Sequence, residues 1–284
     1  MRLIVGEPGL GGGPHRAMSD PGVTVWRDAG GTPWGYGYAD STEHWMLVPG
    51  IGSFRFGPHP GIIHAHPHDR TPLVRLHEVY ERAVLPLALQ ALGLEVLHAS
   101  AVRLDRGVVA LCGVSGAGKS TMAHALEQRG HHACADDALA LDLDEESPRT
   151  IPLPFRVRPR PRDGPRREER LTEPPTVRDH GADHRSHVAP ARLTALFVLT
   201  RTAAGADISL TPLAPAAAFA AVLPHAYCFS LEDESRKRRM LAAYFRLVAS
   251  VPVFKVVFGH GLQRLPVILD TIEQAAASSG TRAE

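Results

Sequence analysis

The feature that most constrains the fold of this chain is a glycine-rich segment, Gly113-Val-Ser-Gly-Ala-Gly-Lys-Ser120. It matches the pattern G-x-x-x-x-G-K-[ST] at every position, with the apolar run VVALC before it and the helix-forming stretch TMAHALEQRG after it. Only three of the 31 basic residues are lysine, so a chance match is rare. The segment predicts a strand, a loop that cradles phosphates, and a helix.

The residue types of this loop suit the binding of a nucleotide. Glycines let consecutive backbone N–H groups turn toward one anion, and the start of the helix adds a partial positive charge. Lys119 supplies charge for the β- and γ-phosphates, and the Ser120 hydroxyl is a ligand for Mg²⁺. We therefore expect ATP and Mg²⁺ as cofactors. The predicted nucleotide contacts are Gly113, Val114, Ser115, Gly116, Ala117, Gly118, Lys119, Ser120 and Thr121.

Two adjacent acids follow the helix closely, Asp136 and Asp137. One of them could hold Mg²⁺ while the other accepts a proton from an attacking hydroxyl, or the pair could simply cap a turn. His98 lies in the apolar run LEVLHASAVRL, which is expected to form one strand pairing with VVALC through the turn DRG. It is either a partner that orients a catalytic acid or a satisfied core histidine.

Strands and helices alternate on both sides of the loop, which predicts an α/β (α+β) fold with a mixed sheet. Residues 21–92 show short apolar runs between Gly, Pro and Asp turns and then helical spacing with a kink at Pro86, so we expect a small antiparallel sheet and a helix. The expected division is a flexible N-terminal tail over 1–20, the β region and helix over 21–92, a catalytic domain over 93–277 and a tail over 278–284. Residues 156–192, rich in Arg and Pro, are expected to be a surface loop.

Composition excludes several classes of protein. The net charge of +1 predicts no global field that would collect nucleic acid or an anionic membrane, and no apolar run is long enough to span a bilayer. Three well-separated cysteines, without metal or redox spacing, favour a reducing compartment, so we expect a cytoplasmic protein. The basic run SRKRR at 235–239 follows three acids and is expected to be a helix face with internal ion pairs.

Residues 97–137, LHASAVRLDRGVVALCGVSGAGKSTMAHALEQRGHHACADD, resemble the catalytic core of HPr kinase/phosphorylase and related serine kinases. In that family a histidine strand, a hairpin, the loop G-x-S-G-x-G-K-S, a helix ending in R-G-H and the residues A-D-D follow in this order. The resemblance implies a P-loop kinase fold akin to phosphoenolpyruvate carboxykinase and phosphoryl transfer from ATP to a serine. It implies that Lys119 acts on the phosphates, that Ser120 and Asp137 hold the metal, that Asp136 is the base, and that His98 is their neighbour.

The chain has no E-I-R-G-L-G segment, and its first 90 residues do not resemble the regulatory domain of HPr kinase. It is more similar to the shorter HPr-kinase-related proteins, which include lasso-peptide kinases that phosphorylate a serine of a precursor peptide. The segment IPLPFRVRPRP resembles one that carries a basic residue near the phosphates in such relatives. By that resemblance Arg156 or Arg158 would contact the nucleotide.

These observations predict an ATP- and Mg-dependent kinase that transfers the γ-phosphate to a hydroxyl, a serine of a peptide or protein such as a lasso precursor. Two alternatives remain: a small-metabolite kinase, and a non-catalytic nucleotide-gated binding protein in a biosynthetic assembly. The expected partners are ATP and the serine substrate, without nucleic acid or membrane. Because related kinases assemble through their catalytic domains, the resemblance also allows a homo-oligomer.

Overall fold

The computed structural model describes residues 1–7, 16–28, 30–40, 43–57, 61–143, 147–151, 153, 189–202, 207–259 and 261–279. These residues form two sheets, with helices that pack on both. Among the described helices, none combines the length and the apolar character that crossing a bilayer requires.

The first sheet has six strands and gathers the N-terminal residues. Side chains that alternate along its strands, such as Phe54, Phe56 and Ile63, are buried on one face, as the period of two along a strand requires. The spatial order is β1-β6-β5-β4-β3-β2, which leaves β2 at one end. The strands are β1 (Arg2–Val5), β2 (Thr24–Arg27), β3 (Pro33–Ala39), β4 (His44–Val48), β5 (Gly52–Phe56) and β6 (Ile62–Pro67).

Strand β1 differs from the expectation of a flexible tail over residues 1–20. It pairs with β6 in parallel, so the sheet is not antiparallel throughout. Leu3 packs against the core of the sheet, and the hydroxyl of Tyr80 donates to the carbonyl oxygen of Met1 at 3.0 Å. These contacts hold the start of the chain in place. The strand was not predicted because the sequence after Val5 is rich in glycine.

A broken helix covers the buried face of this sheet. It comprises α1 (Leu73–Val79), a π-helical turn (Tyr80–Val84) and α2 (Leu85–Ala91). The N–H of Leu85 bonds to the carbonyl of Tyr80, five residues back, immediately before Pro86. The irregularity expected at Pro86 is therefore a π turn, which accommodates a residue that has no N–H to donate.

The second sheet has nine strands in a mixed arrangement. At its centre β13 pairs in parallel with β9 on one side and β15 on the other, and the remaining pairs are antiparallel. The mixed α/β class predicted from the sequence is confirmed. The strands are β7 (Glu95–Leu97), β8 (Ala99–Leu104), β9 (Gly107–Cys112), β10 (His132–Ala135), β11 (Leu139–Asp142), β12 (Arg149–Ile151), β13 (Ala191–Thr202), β14 (Ser209–Pro212) and β15 (Val253–Gly259).

Four helices sandwich this sheet. They are α3 (Lys119–Gln128), α4 (Pro215–Val222), α5 (Glu234–Ser250) and α6 (Leu265–Ser279). α3 and α6 share one buried apolar cluster with one face of the sheet, and α4 and α5 share another with the opposite face. Each face of β9 and β13 is thereby covered, as parallel strands in α/β proteins require.

Two expected boundaries shift in the structure. The loop expected over 156–192 ends earlier, because Ala191 and Arg192 already belong to β13; the residues 154–188 lie outside the described part. The tail expected from residue 278 begins later, because α6 continues through Ser279. The division into domains stays a prediction.

Candidate active site

The glycine-rich loop connects the end of β9 to the start of α3. A Cβ at Gly113 would lie 2.9 Å from the carbonyl oxygen of Leu199, so the approach of the neighbouring strand leaves no room for a side chain. Gly116 and Gly118 have φ angles of 84° and 104°, a backbone region that favours glycine. The loop thus needs its glycines for a backbone conformation that suits a cradle for phosphates.

Lys119, the first residue of α3, is buried and folds back over the loop. Its Nζ donates to the carbonyl oxygens of Gly113 at 2.7 Å and Val114 at 3.4 Å, and lies 3.1 Å from Nε2 of His98. The ammonium group is therefore held at the mouth of the cradle, where the charge of a polyphosphate would attract it.

His98 lies between two strands, whereas the sequence predicted one continuous strand. β7 before it pairs with β11, and β8 after it pairs with β9 and β10, so the chain changes neighbours at this residue. Nδ1 of the ring lies 2.9 Å from the carbonyl oxygen of Asp137. A carbonyl only accepts, so Nδ1 carries the hydrogen and Nε2 accepts from Lys119. Burial, followed by the charge of Lys119, lowers the pKa of His98, in agreement with a neutral ring.

Asp136 is buried beside the serine of the loop. Its Oδ1 accepts hydrogen bonds from Oγ of Ser100 on β8 at 2.7 Å and from Oγ of Ser120 on α3 at 2.8 Å. A hydroxyl and a carboxylate side by side at the start of this helix are oxygen donors of the kind that Mg²⁺ prefers. The residues present therefore fit the metal, although the acid that meets Ser120 is Asp136 and not Asp137.

Asp137 is placed differently from its neighbour. It has a φ of 67°, and it is the one non-glycine residue with a positive φ in the described part of the chain. Its carboxylate is 37% exposed and lies 3.5 Å from Nη1 of Arg82, while its main-chain oxygen accepts from His98 and from the Tyr227 hydroxyl at 3.2 Å. The left-handed turn thus gives the site a second, accessible acid with an anchored backbone.

The site contains residues that the sequence analysis did not identify. Ser100 had one weak signal, since it lies two residues from His98 in the same apolar run. Arg82 comes from the π turn, an irregularity frequent at functional sites, and Tyr227 and His225 come from the segment after α4. Burial and then the charges of Lys119 and His98 lower the pKa of His225 to about 4, and burial followed by the charge of Asp137 raises that of Tyr227.

The arginine expected to contact the nucleotide, Arg156 or Arg158, lies outside the described residues. Another arginine reaches the loop: a Cβ at Gly118 would lie 3.1 Å from Nη2 of Arg201, near the end of β13. The guanidinium carbon of Arg201 is 5.9 Å from the ring centre of Phe258. Among the described residues, Arg201 is therefore an arginine that lies at the rim of the phosphate cradle.

Comparison with known proteins adds little to this geometry. No family model matches the chain, and no curated protein matches it. Among solved structures it is similar to the Hpr(Ser) kinase/phosphatase from Coxiella burnetii, with 14% identity over 64% of this chain and 96% of that chain, at a TM-score of 0.33. So low a TM-score carries no argument about activity, and the function is inferred from the site itself.

Proposed function

We propose that this chain is a kinase that uses Mg-ATP to phosphorylate a hydroxyl group, the acceptor being a serine of a peptide or protein. The observation that carries the proposal is the hydrogen bond from Ser120 to Asp136 directly beside a complete phosphate loop, with Asp137 open next to it. If the two acids only capped a turn at the end of the strand, neither would need to be buried and bonded to the serine of the loop.

The nucleotide would bind through the backbone amides of the loop, with Lys119 neutralising phosphate charge. Arg201 lies close enough to the loop to add a second positive charge. Ser120 and Asp136 would hold Mg²⁺, which neutralises the charge of the phosphates when it is bound. Ser100 keeps the Asp136 carboxylate in place, because its buried hydroxyl has Asp136 as an acceptor.

The accessible acid suits the proton transfer. The acceptor hydroxyl gives its proton to the Asp137 carboxylate while its oxygen forms a bond to the γ-phosphorus. The bond from that phosphorus to the oxygen bridging the β- and γ-phosphates breaks, and ADP leaves with the electron pair. The hydrogen bond between Ser120 and Asp136 supports the metal at Asp136, and the exposure of Asp137 supports its role as the base; the family resemblance implies the reverse.

The acceptor class rests on the resemblance of residues 97–137 to serine kinases, including those that act on lasso precursor peptides. A cytoplasmic location and a homo-oligomer remain part of the same proposal. Arg158 is also kept as a residue that contacts the nucleotide, to be tested beside Arg201.

The test is a calorimetric titration of the full chain with Mg-ATP, followed by incubation with ATP and serine-containing peptides. We expect saturable heat and a mass gain of one phosphate on a peptide. Lys119→Ala should abolish both, and Lys255→Ala, a lysine on β15 that the site does not use, should change neither. Binding without transfer to any peptide or small hydroxyl compound would favour the non-catalytic alternative, and the absence of binding would overturn the proposal.

A further inference from the structure

A groove runs between the end of the first sheet and the segment 226–231 that follows α4. It encloses about 350 Å³. Its walls include Trp26 on β2, Trp34 on β3, Leu87 on α2, Tyr227 and Leu231. The nucleotide site uses only one of these residues, Tyr227, so the groove is a separate feature that adjoins it.

The strand on one side of this groove has a free edge. β2 is the last strand of its sheet, and within the described residues it forms a ladder with β3 alone. The opposite wall is held to β2 by side chains: Nε1 of Trp26 donates to the carbonyl oxygen of Cys228 at 3.3 Å, and the hydroxyls of Thr24 and Ser230 lie 3.4 Å apart. An edge of this kind presents main-chain donors and acceptors that suit an added extended peptide.

The lining of the groove suits a large apolar side chain. The rings of Trp26 and Trp34 stack with their centres 5.6 Å apart, and Leu231 at the rim is 62% exposed. Aromatic walls beside a strand edge combine a pocket for a side chain with hydrogen bonds for a backbone, which is how strand addition achieves specificity and affinity together.

The groove also adjoins the candidate transfer site through one shared residue. Tyr227 lines the groove, and its hydroxyl donates to the main-chain oxygen of Asp137 at 3.2 Å. A chain lying along β2 would therefore pass beside Tyr227, the residue that holds the backbone of the acid that accepts the proton. A small metabolite would need neither the strand edge nor the apolar pocket.

We propose that this groove binds the acceptor as an extended peptide, paired with the free edge of β2 and carrying a large apolar side chain at a fixed distance from the serine that is phosphorylated. The inference rests on the proposed function, because the serine must reach Asp137. The proposed occupant is a flexible peptide. If the groove instead bound a folded protein surface, a second copy of this chain or a free apolar molecule, the measurements of peptide binding would give different results.

The first measurement is binding without nucleotide. The probe is a library of short fluorescein-labelled peptides with a central serine, in which one flanking position at a time is fixed, and the readout is anisotropy with the full chain. We expect one position at which Leu, Phe or Trp binds about ten-fold more tightly than Asp, the value of burying one such side chain. Leu231→Asp should remove this preference, because it places a charge at the rim without disturbing the core.

The matched control is Val267→Asp, which changes an exposed apolar residue on α6 and should keep the preference. The second measurement replaces backbone N–H groups of the best peptide by N-methyl groups, one at a time. Pairing with β2 predicts that binding falls at alternate positions, because only every second residue of a strand donates toward a given neighbour. Phosphate transfer to the same peptides is then compared with their affinities.

Several results would overturn the inference. They are the absence of a positional preference, a preference that survives in Leu231→Asp, and N-methyl effects without alternation. A change of molecular mass on Leu231→Asp in light scattering would assign the groove to a second copy instead. Binding of Mg-ATP is measured in parallel, and its absence would contradict the proposed function. Whether the groove binds a peptide is decided separately, by the peptide measurements.

Discussion

At the scale of single residues, the two adjacent acids are the sharpest test of mechanism. If Asp136 holds the metal with Ser120, Asp136→Asn should raise the Mg²⁺ concentration needed for half-maximal rate. Asp137→Asn should leave Mg-ATP binding unchanged and lower kcat by about 10²–10⁴-fold, the usual contribution of a general base. Steady-state kinetics over a Mg²⁺ series and calorimetry measure both. A loss of turnover in Asp136→Asn with an unchanged Mg²⁺ requirement would restore the assignment implied by the family resemblance.

His225 gives the site a predictable dependence of stability on pH. Burial first, and then the charges of Lys119 and His98, lower its pKa to about 4, so the folded protein keeps it neutral where the unfolded chain takes up a proton. The free energy of unfolding should therefore fall as the pH decreases from about 6.5 toward 4. His98, whose pKa is also lowered, acts in the same direction.

Urea unfolding at pH 7 and pH 5 measures this effect. His225→Gln should reduce the loss of stability between the two pH values, and His132→Gln, at an exposed position of β10, should leave that loss unchanged. An equal loss in the wild type and in His225→Gln would contradict the account of His225.

The sequence was sufficient for those site residues whose neighbours lie close along the chain. Lys119 and Ser120 begin α3, and the acid pair follows that short helix and the strand β10, so spacing along the chain was enough to predict that they lie in one region. Arg82, Tyr227 and Arg201 come from distant segments, and no local pattern distinguishes them from other surface or loop residues. Which of the two acids bonds to Ser120 was also not predictable, because a local pattern does not give the direction in which each side chain points at the end of β10.

At the scale of elements, α5 contains a buried polar contact that the sequence analysis did not predict. The run 235–239 was expected to be a helix face with internal ion pairs, but Arg236 is buried: Nη1 lies 2.7 Å from Oε1 of Glu95, and further bonds reach the carbonyls of Gln90 and Leu94. Helical periodicity turns one residue of such a run inward whenever the helix packs on a sheet. Arg236 therefore pairs with a residue outside its own helix, which the prediction of internal ion pairs did not include.

Arg236→Ala should therefore lower the free energy of unfolding by about 3–5 kcal/mol, because it leaves the Glu95 carboxylate buried without its arginine. The matched control is Lys237→Ala on the same helix, whose partly exposed pair with Glu234 should contribute at most about 0.5 kcal/mol. Denaturant titration of both variants gives the comparison. A loss in Arg236→Ala no larger than in the control would mean that the buried pair does not stabilise the fold.

Other elements show which structural features a local sequence pattern predicts and which it does not. The β8–β9 hairpin and the helix after the loop were expected and are present, since two-residue turns and helical spacing are local signals. The break at His98 was not foreseen, because it depends on the pairing of β7 with β11, which comes from a distant part of the chain. Strand β1 was also not predicted, because the glycine-rich sequence after Val5 suggested a flexible tail.

At the scale of the whole molecule, the two sheets share part of their core. One buried cluster contains Met46 and Phe54 of the first sheet together with Val96 and Ala140 of the second, and Phe229 packs among them. We therefore expect one cooperative unfolding transition. The three tryptophans, Trp26, Trp34 and Trp45, all lie in the first sheet, so their fluorescence reports on that sheet and not directly on the sheet that carries the phosphate loop.

Mg-ATP at 100 times its Kd should stabilise the protein by about 2.7 kcal/mol and shift the fluorescence midpoint and the circular dichroism midpoint together. Lys119→Ala should show no shift. If the nucleotide moved only the circular dichroism transition, the two sheets would unfold independently and the shared core would not couple them.

The position of Tyr227 affects how the peptide preference of a kinase of the proposed kind could change during evolution. Tyr227 lines the groove while its hydroxyl holds the backbone of the acid, so under the proposed function a substitution there would alter recognition and turnover together. Adaptation to a new peptide would be easier at Leu231, which lies at the exposed rim of the groove and has no contact with the acid. Divergent descendants should accordingly vary around Leu231 long before they vary at Tyr227.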